Sequence, residues 1–265
     1  MASDFGGKQS ERLCRASKLC RTEDVQTAPA LAAESEEPEY GLHPMCGRFT
    51  LRTPTRAVVK AFGLADAPNL KPRYNIAPTQ QIAGIKLNPE TGTRQLSMFR
   101  WGLIPPWAGF PPIGYRMINA RAETVFARRA FSQAFQKKRC LVLADGFYEW
   151  KKPGIKKPYY VRLRRDEPFV FAGIAEQWHR GDQTIESCAI ITTKANKLMA
   201  TIHNRMPVIL SPDDYDLWIE PEFQDQDKLL SMLKPYPAED MEAYPVGTFV
   251  NNPMNETEEC IEAAD

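Results

Sequence analysis

Six polar residues, at four places in the chain, stand where their side chains could do chemistry. Cys46 follows Met45 directly and precedes Gly47 and Arg48 in HPMCGRFT. Removal of everything through Met45 would give it a free α-amine beside its thiol, two nucleophiles on one residue. Glu149 sits between Tyr148 and Trp150 in ADGFYEWKK. A carboxylate flanked by aromatics on a strand is expected to be partly desolvated, which disfavours its charged form and suits it to proton transfer. In MINARAET, Asn119, Arg121 and Glu123 recur with period 2, so an extended strand would put all three on one face. His203, in ATIHNRMP, comes at the end of a β-like run before a proline. Each has a plain structural reading too. Cys46 would be a small buried hydrophobe, as free cysteines commonly are. Glu149 would pair with Lys151 or Arg162, the period-2 trio would be a solvated face, and His203 a hydrogen-bonded structural residue.

The elements that must position these residues are legible from punctuation and periodicity. Residues 1–44 are polar and aperiodic with few aromatics, and such a stretch cannot bury enough apolar surface to offset its ordering entropy. They read as a disordered or removable extension. Thr53-Pro54 predicts a helix start, Val58, Val59 and Phe62 its apolar face, and Gly63 its stop. QQIAGIKL and RQLSMFRW read as strands, the second running into the Pro-rich loop GLIPPW. AETVFARRAFSQAFQKKR predicts one helix with an apolar and a basic face. RCLVLADGFYEWKK reads as strand, turn at Asp145-Gly146, strand. PYYVRLRR alternates, while PFVFAGIAEQW and SCAIITT are continuous β-rich runs. Ser211-Pro212 starts a helix through Trp218, and DQDKLLSMLK predicts another. Many strands with few helices give an α+β class: a curved, mixed, mostly antiparallel sheet of half-barrel type with flanking helices.

The charge is uneven although the net is only +1. Residues 114–165 hold 14 Lys/Arg against Glu123, Asp145 and Glu149, and residues 211–265 hold 15 Asp/Glu against Lys228 and Lys234. A basic middle fits a polyanionic partner such as nucleic acid, or else a dipolar surface with no such partner. The six cysteines form no CxxC pair, and with three histidines no zinc-ligand spacing appears. No metal, cofactor or membrane span is expected, and the first residues lack the apolar core of a signal peptide. The chain reads as intracellular with reduced thiols.

MCGRFT, RYNIAPTQ, WGLIPPW, INARAET, CLVLADGFYEWKK and IHNRMPVIL form an ordered series, closed by YPVGTFVNN. This series resembles the SOS-response-associated peptidase (SRAP) family of abasic-site-processing proteins over residues 45–254, leaving 255–265 as an acidic tail. The resemblance implies a single domain whose mature N-terminal cysteine crosslinks to an abasic site in single-stranded DNA. By that resemblance Cys46 is the nucleophile, and Asn119, Glu149 and His203 complete the catalytic pocket. Arg48 and Arg121 hold phosphates, while Asn75, Pro78, Trp107 and Thr192 line the DNA path. The amine would form an imine with the ring-opened sugar and the thiol would close a thiazolidine. No cofactor is implied. The protein is expected to be a monomer, cytoplasmic and nucleoid-associated in a prokaryote or nuclear in a eukaryote. A thiol autopeptidase or N-terminal-nucleophile amidohydrolase using Cys46 is the rival enzyme, and a non-catalytic single-strand binder the rival without chemistry. Family members usually begin at the methionine before the cysteine, and this chain has 44 residues ahead of it.

Overall fold

A computed structural model describes residues 46–151 and 157–264. These fall in one compact unit. The extension predicted at 1–44 lies outside the described residues, as do Lys152 and Lys156 of the basic stretch.

Twelve strands and four α-helices are present among the described residues. The first part of the chain forms β1 (Arg48–Leu51), α1 (Thr55–Phe62), β2 (Arg73–Ile76), β3 (Gln81–Leu87), β4 (Arg94–Trp101), β5 (Asn119–Arg121) and α2 (Ser132–Lys137). Then come β6 (Arg139–Ala144), β7 (Gly146–Lys151), β8 (Lys157–Leu163), β9 (Phe169–Arg180) and β10 (Gln183–Lys194). The last part holds β11 (Arg205–Pro207), α3 (Tyr215–Ile219), α4 (Gln226–Met232) and β12 (Met241–Pro245).

The expected mixed, mostly antiparallel curved sheet is present, and its curvature goes further than a half-barrel. β10 pairs with β9 on one side and β4 on the other, so the circuit β10-β4-β3-β6-β9 closes on itself. Short β5 and β11 extend β10 beyond that circuit. Only the β10–β4 and β10–β5 pairings are parallel among the described strands. β6 (RCLVLA) is buried at every residue, which is why it reads as continuously apolar instead of alternating.

A second, five-stranded sheet runs β12-β8-β7-β1-β2. It packs on the barrel through aromatic edges. The Phe49 ring of β1 meets Trp101 at 5.1 Å and Phe171 at 5.8 Å, and Phe147 of β7 meets Phe171 at 6.0 Å. Because strand side chains alternate, Glu149 shares the face of Phe147, toward the barrel. Tyr148 and Trp150 face the other way, into a small cluster with Tyr160, Val246, Val250 and Cys260.

Several expectations change in the structure. Asp145-Gly146 does not turn a hairpin: β6 and β7 belong to different sheets, and this point is the corner between them. The Asp145 carboxylate accepts from Thr50 Oγ1 (2.6 Å), Arg52 N (2.6 Å), Thr53 N (2.8 Å) and Thr53 Oγ1 (2.8 Å). Thr53 is therefore spent on Asp145 and does not cap α1, whose N-cap is Pro54. Gly146 has to be glycine, since a Cβ there would lie 2.0 Å from Tyr160 Oη. At the other end of α1, Gly63 takes the left-handed conformation (φ 63°) and closes the helix onto Val59 O, as predicted.

The single helix expected over 122–139 is replaced by turns, the short α2, and the start of β6. Ala127 and Arg128 both donate to Thr124 O, and the chain unwinds before Phe131. Arg139 is buried, and its guanidinium donates to the carbonyls of Phe135, Gln136, Trp218, Glu220 and Phe223. It is not part of a basic surface. The acidic segment 255–264 is not a free tail either. Glu256 accepts from Tyr74 N, Asn75 N and Arg73 Nη2, and Cys260 is buried.

Asp145→Ala would strand four donors at the corner. It is expected to lower the unfolding free energy by about 3 kcal/mol in urea titration. A loss below about 1 kcal/mol would show that the corner is held by other contacts.

Candidate active site

The register of β1 on β7 (Arg48 opposite Tyr148) brings the residues just before β1 alongside Glu149. Cys46 and Glu149 are both buried, at 4% and 3% exposure. One carboxylate oxygen, Glu149 Oε1, accepts from Cys46 N at 2.8 Å and from Cys46 Sγ at 3.2 Å. Burial holds the thiol well above its ordinary pKa, and the Glu149 charge and hydrogen bond push the same way. The Arg205 guanidinium opposes them, so Arg205 lies within electrostatic reach of the sulfur. Cys46 also has a positive φ of 50°, one of three non-glycine residues so placed among those described.

Arg205 was not singled out in the sequence, though its spacing from His203 repeats the Asn119-to-Arg121 interval. Its Nη1 and Nη2 donate to Glu123 Oε1 (2.8 Å) and Oε2 (2.9 Å). Nη2 also donates to Thr192 O at 2.6 Å. Its backbone N–H donates to His203 Nδ1 at 3.2 Å. His203 thus enters the same assembly, with Nδ1 as the acceptor nitrogen. Asn119 enters from the other side of β10: it opens β5, opposite Ile190, and Arg121 ends β5 opposite Thr192. The predicted face of three narrows to two, because β5 stops at Arg121 and Glu123 lies in the turn beyond it. That turn is pinned by Ala122 N donating to Thr192 O.

The residues expected to touch DNA separate into two groups. Arg121 is exposed beside Thr192, and Pro78 is half-buried after β2. Trp107 is 52% exposed, with the Arg129 guanidinium 5.1 Å from its ring centre. Its loop is anchored where Trp178 Nε1 donates to Ala108 O at 2.8 Å and Arg180 donates to Gly109 O. These surfaces stay open to a ligand. Asn75 and Thr192 are both buried, with their side chains engaged inside the protein. Asn75 Nδ2 donates to the carbonyls of Val250, Asn252 and Asn255, and Thr192 Oγ1 donates to Ala120 O. Arg48 is half-buried and donates to Asn75 Oδ1 (2.9 Å), Val250 O (3.0 Å) and Asn251 O (3.4 Å). Burial lowers its pKa. Among the described residues no group of three or more His, Cys, Asp or Glu is placed to hold a metal, and no helix is long and apolar enough to cross a membrane.

The family model for SOS response associated peptidase (SRAP) matches residues 45–253. The chain belongs to the SRAP family. The match begins one residue before Cys46, where the site's geometry begins. Abasic site processing protein YoqW of Bacillus subtilis is 44% identical over 225 residues, covering 83% of this chain and all of that protein. Abasic site processing protein YedK of Escherichia coli is 32% identical over 228 residues, covering 82% of this chain and 99% of its own. A solved crystal structure of a Bacteroides thetaiotaomicron protein superposes with a TM-score of 0.73 at 27% identity, covering 83% of this chain and all of that one. This SRAP chain therefore shares its fold with that solved structure.

Two outcomes follow from the site. With residue 45 attached, Cys46 should be alkylated by iodoacetamide at pH 7 at least about tenfold more slowly than an exposed thiol, because the reactive thiolate is suppressed. Its rate should climb only above the ordinary thiol range, and ready alkylation at pH 7 would contradict the described environment. Asn75→Ala should loosen residues 250–255 by about 2 kcal/mol, read as faster amide hydrogen exchange there. Unchanged exchange would show that the segment does not depend on Asn75.

Proposed function

We propose that this SRAP chain, once it begins at Cys46, captures abasic sites in single-stranded DNA as a covalent thiazolidine. The observation that carries the reading is the double acceptance at Glu149 Oε1, which holds both the nitrogen and the sulfur of residue 46. Those are the two atoms that a thiazolidine takes from cysteine. The names of the relatives point to the same substrate.

An abasic sugar opens to an aldehyde at C1′. With residues 1–45 removed, the amide nitrogen that donates to Glu149 becomes an α-amine, whose ordinary pKa of about 8 leaves a neutral fraction near pH 7. The amine's lone pair attacks C1′, the carbonyl oxygen takes a proton, and loss of water gives the imine. The sulfur then adds to the imine carbon as the nitrogen regains a proton, closing a five-membered ring. The net change is loss of one water. Glu149 would take the proton from the amine and return it to the leaving oxygen, and then receive that of the thiol. His203 serves as a second proton carrier, and Asn119 orients the sugar without adding charge.

Arg121, Arg128 and Arg129 are exposed and would supply salt-sensitive phosphate affinity. Trp107 offers a stacking face for an unpaired base. In this reading the protein serves in the DNA damage response. The thiol-peptidase alternative fits less well. A thiol peptidase works through a thiolate in an electropositive setting, and Cys46 is a buried thiol against a carboxylate.

The test uses protein beginning at Cys46, its 220 residues (265 less 45) confirmed by intact mass. Incubated with a single-stranded abasic oligonucleotide, it should give a shifted band on a denaturing gel. The chain retaining residue 45 and the Cys46→Ala variant should give none. Glu149→Gln should slow the reaction by roughly a hundredfold. Absence of the band from the confirmed sample would sink the proposal, and wild-type speed in Glu149→Gln would remove Glu149 from the mechanism.

A further inference from the structure

Arg205 touches His203, Glu123 and Thr192, and its partner Glu123 has no part in the chemistry above. The two form a bidentate pair, the fork-to-fork geometry that adds direction to attraction. The arginine side chain is 12% exposed and the glutamate 40%. Glu123 is held below the ordinary carboxylate range, first by its hydrogen bond from Arg205 and further by the Arg121 charge. It is therefore a charged partner throughout the neutral range.

The pair spans the end of β10. Thr192 is opposite Arg121 of β5 on one edge and Pro207 of β11 on the other. Glu123 belongs to the turn after β5, and Arg205 opens β11. Between them, Arg205 Nη2 rests on Thr192 O at 2.6 Å and approaches Thr192 Oγ1 at 3.3 Å. The ion pair thus clips together the segment carrying Asn119 and the segment carrying His203. The pairing of β5 with β10 runs over only three registers, and so does that of β10 with β11. Strand hydrogen bonds this few leave the side-chain clip a large share of the alignment.

We propose that Glu123 is a positioning residue for the capture reaction, acting through Arg205. Glu123 fixes the guanidinium beside Thr192. That in turn steadies the Arg205 backbone N–H on His203 Nδ1. With Nδ1 as acceptor, a neutral His203 carries its proton on Nε2. Glu123 itself touches no reacting atom. This inference rests on the proposed capture reaction.

The experiment is a double-mutant cycle with Glu123→Gln and Arg205→Gln in protein beginning at Cys46. Glutamine keeps the shape of Glu123 but sets an NH2 group against one guanidinium N–H, so at most one of the two hydrogen bonds survives. Single-turnover capture at saturating abasic oligonucleotide should slow by roughly tenfold in Glu123→Gln. Half-saturation for an undamaged oligonucleotide should stay within about twofold, because Glu123 carries no positive charge to a phosphate. In the Arg205→Gln background, the added Glu123→Gln change should slow capture no further. A second readout does not need capture: 15N spectra of the His203 ring should show the Nε2–H form in the parent and a mixture of forms in Glu123→Gln. Wild-type speed in Glu123→Gln, an equal slowing in both backgrounds, or an unaltered His203 ring would each overturn the proposal. Failure of the parent protein to form any crosslink would instead count against the capture reaction, leaving the ring spectra to decide Glu123.

Discussion

The site depends on where the chain turns at Asp145. β6 ends inside the barrel wall, and β7 begins in the second sheet with only Asp145 between them. A buried carboxylate with four donors costs much to disturb, because each donor would otherwise be left without a partner away from water. The donors come from Thr50, Arg52 and Thr53, at the far end of β1 from Cys46. The corner therefore sets the register of β1 on β7, and that register sets which residue faces Glu149. Slippage by one residue would send Glu149 into the Tyr148 and Trp150 cluster and leave Cys46 facing an indole.

The two halves of the site are built differently. Cys46 and Glu149 are held by continuous strands and an aromatic interface, so their geometry belongs to the core. Asn119, Arg121 and Arg205 stand on short strands at the end of β10 and His203 lies just ahead of β11, held by side-chain bonds. Such regions open locally at lower free energy than a core does. In the proposed capture reaction the fixed half would carry the nucleophile and the adjustable half would meet the incoming strand.

Local chemistry was readable where it acted alone. The alternation of β8, the apolar runs of β6 and β9 and the left-handed stop at Gly63 were all legible, as was the clustering of unusual polar residues. What depended on distant partners was not. The stretch Thr124–Phe131 has helical spacing, yet Phe126, Ala130 and Phe131 pack against the core as turns. Arg139 looked like surface charge and is buried among five carbonyls, its pKa lowered by burial to about 10. Asn75 and Thr192 are buried with their side chains on backbone carbonyls, and nothing in their local sequence marks them as buried. Arg205 was missed because two residues from a histidine is a weak signal in itself. Only the arrival of Glu123 from 82 residues away makes that position distinctive.

The packing of residues 255–264 bears on solubility. β2 is the last strand of its sheet, and a terminal strand normally offers unpaired amides to any passing chain. Here Glu256 takes the N–H groups of Tyr74 and Asn75 at 2.7 and 2.8 Å. The edge is sealed by a charged side chain where another strand could have sat. A carboxylate blocks the amides and presents no ladder of its own, so it ends the sheet without inviting a second copy to continue it. The acidic end of the chain thereby acts as a guard against edge-to-edge association.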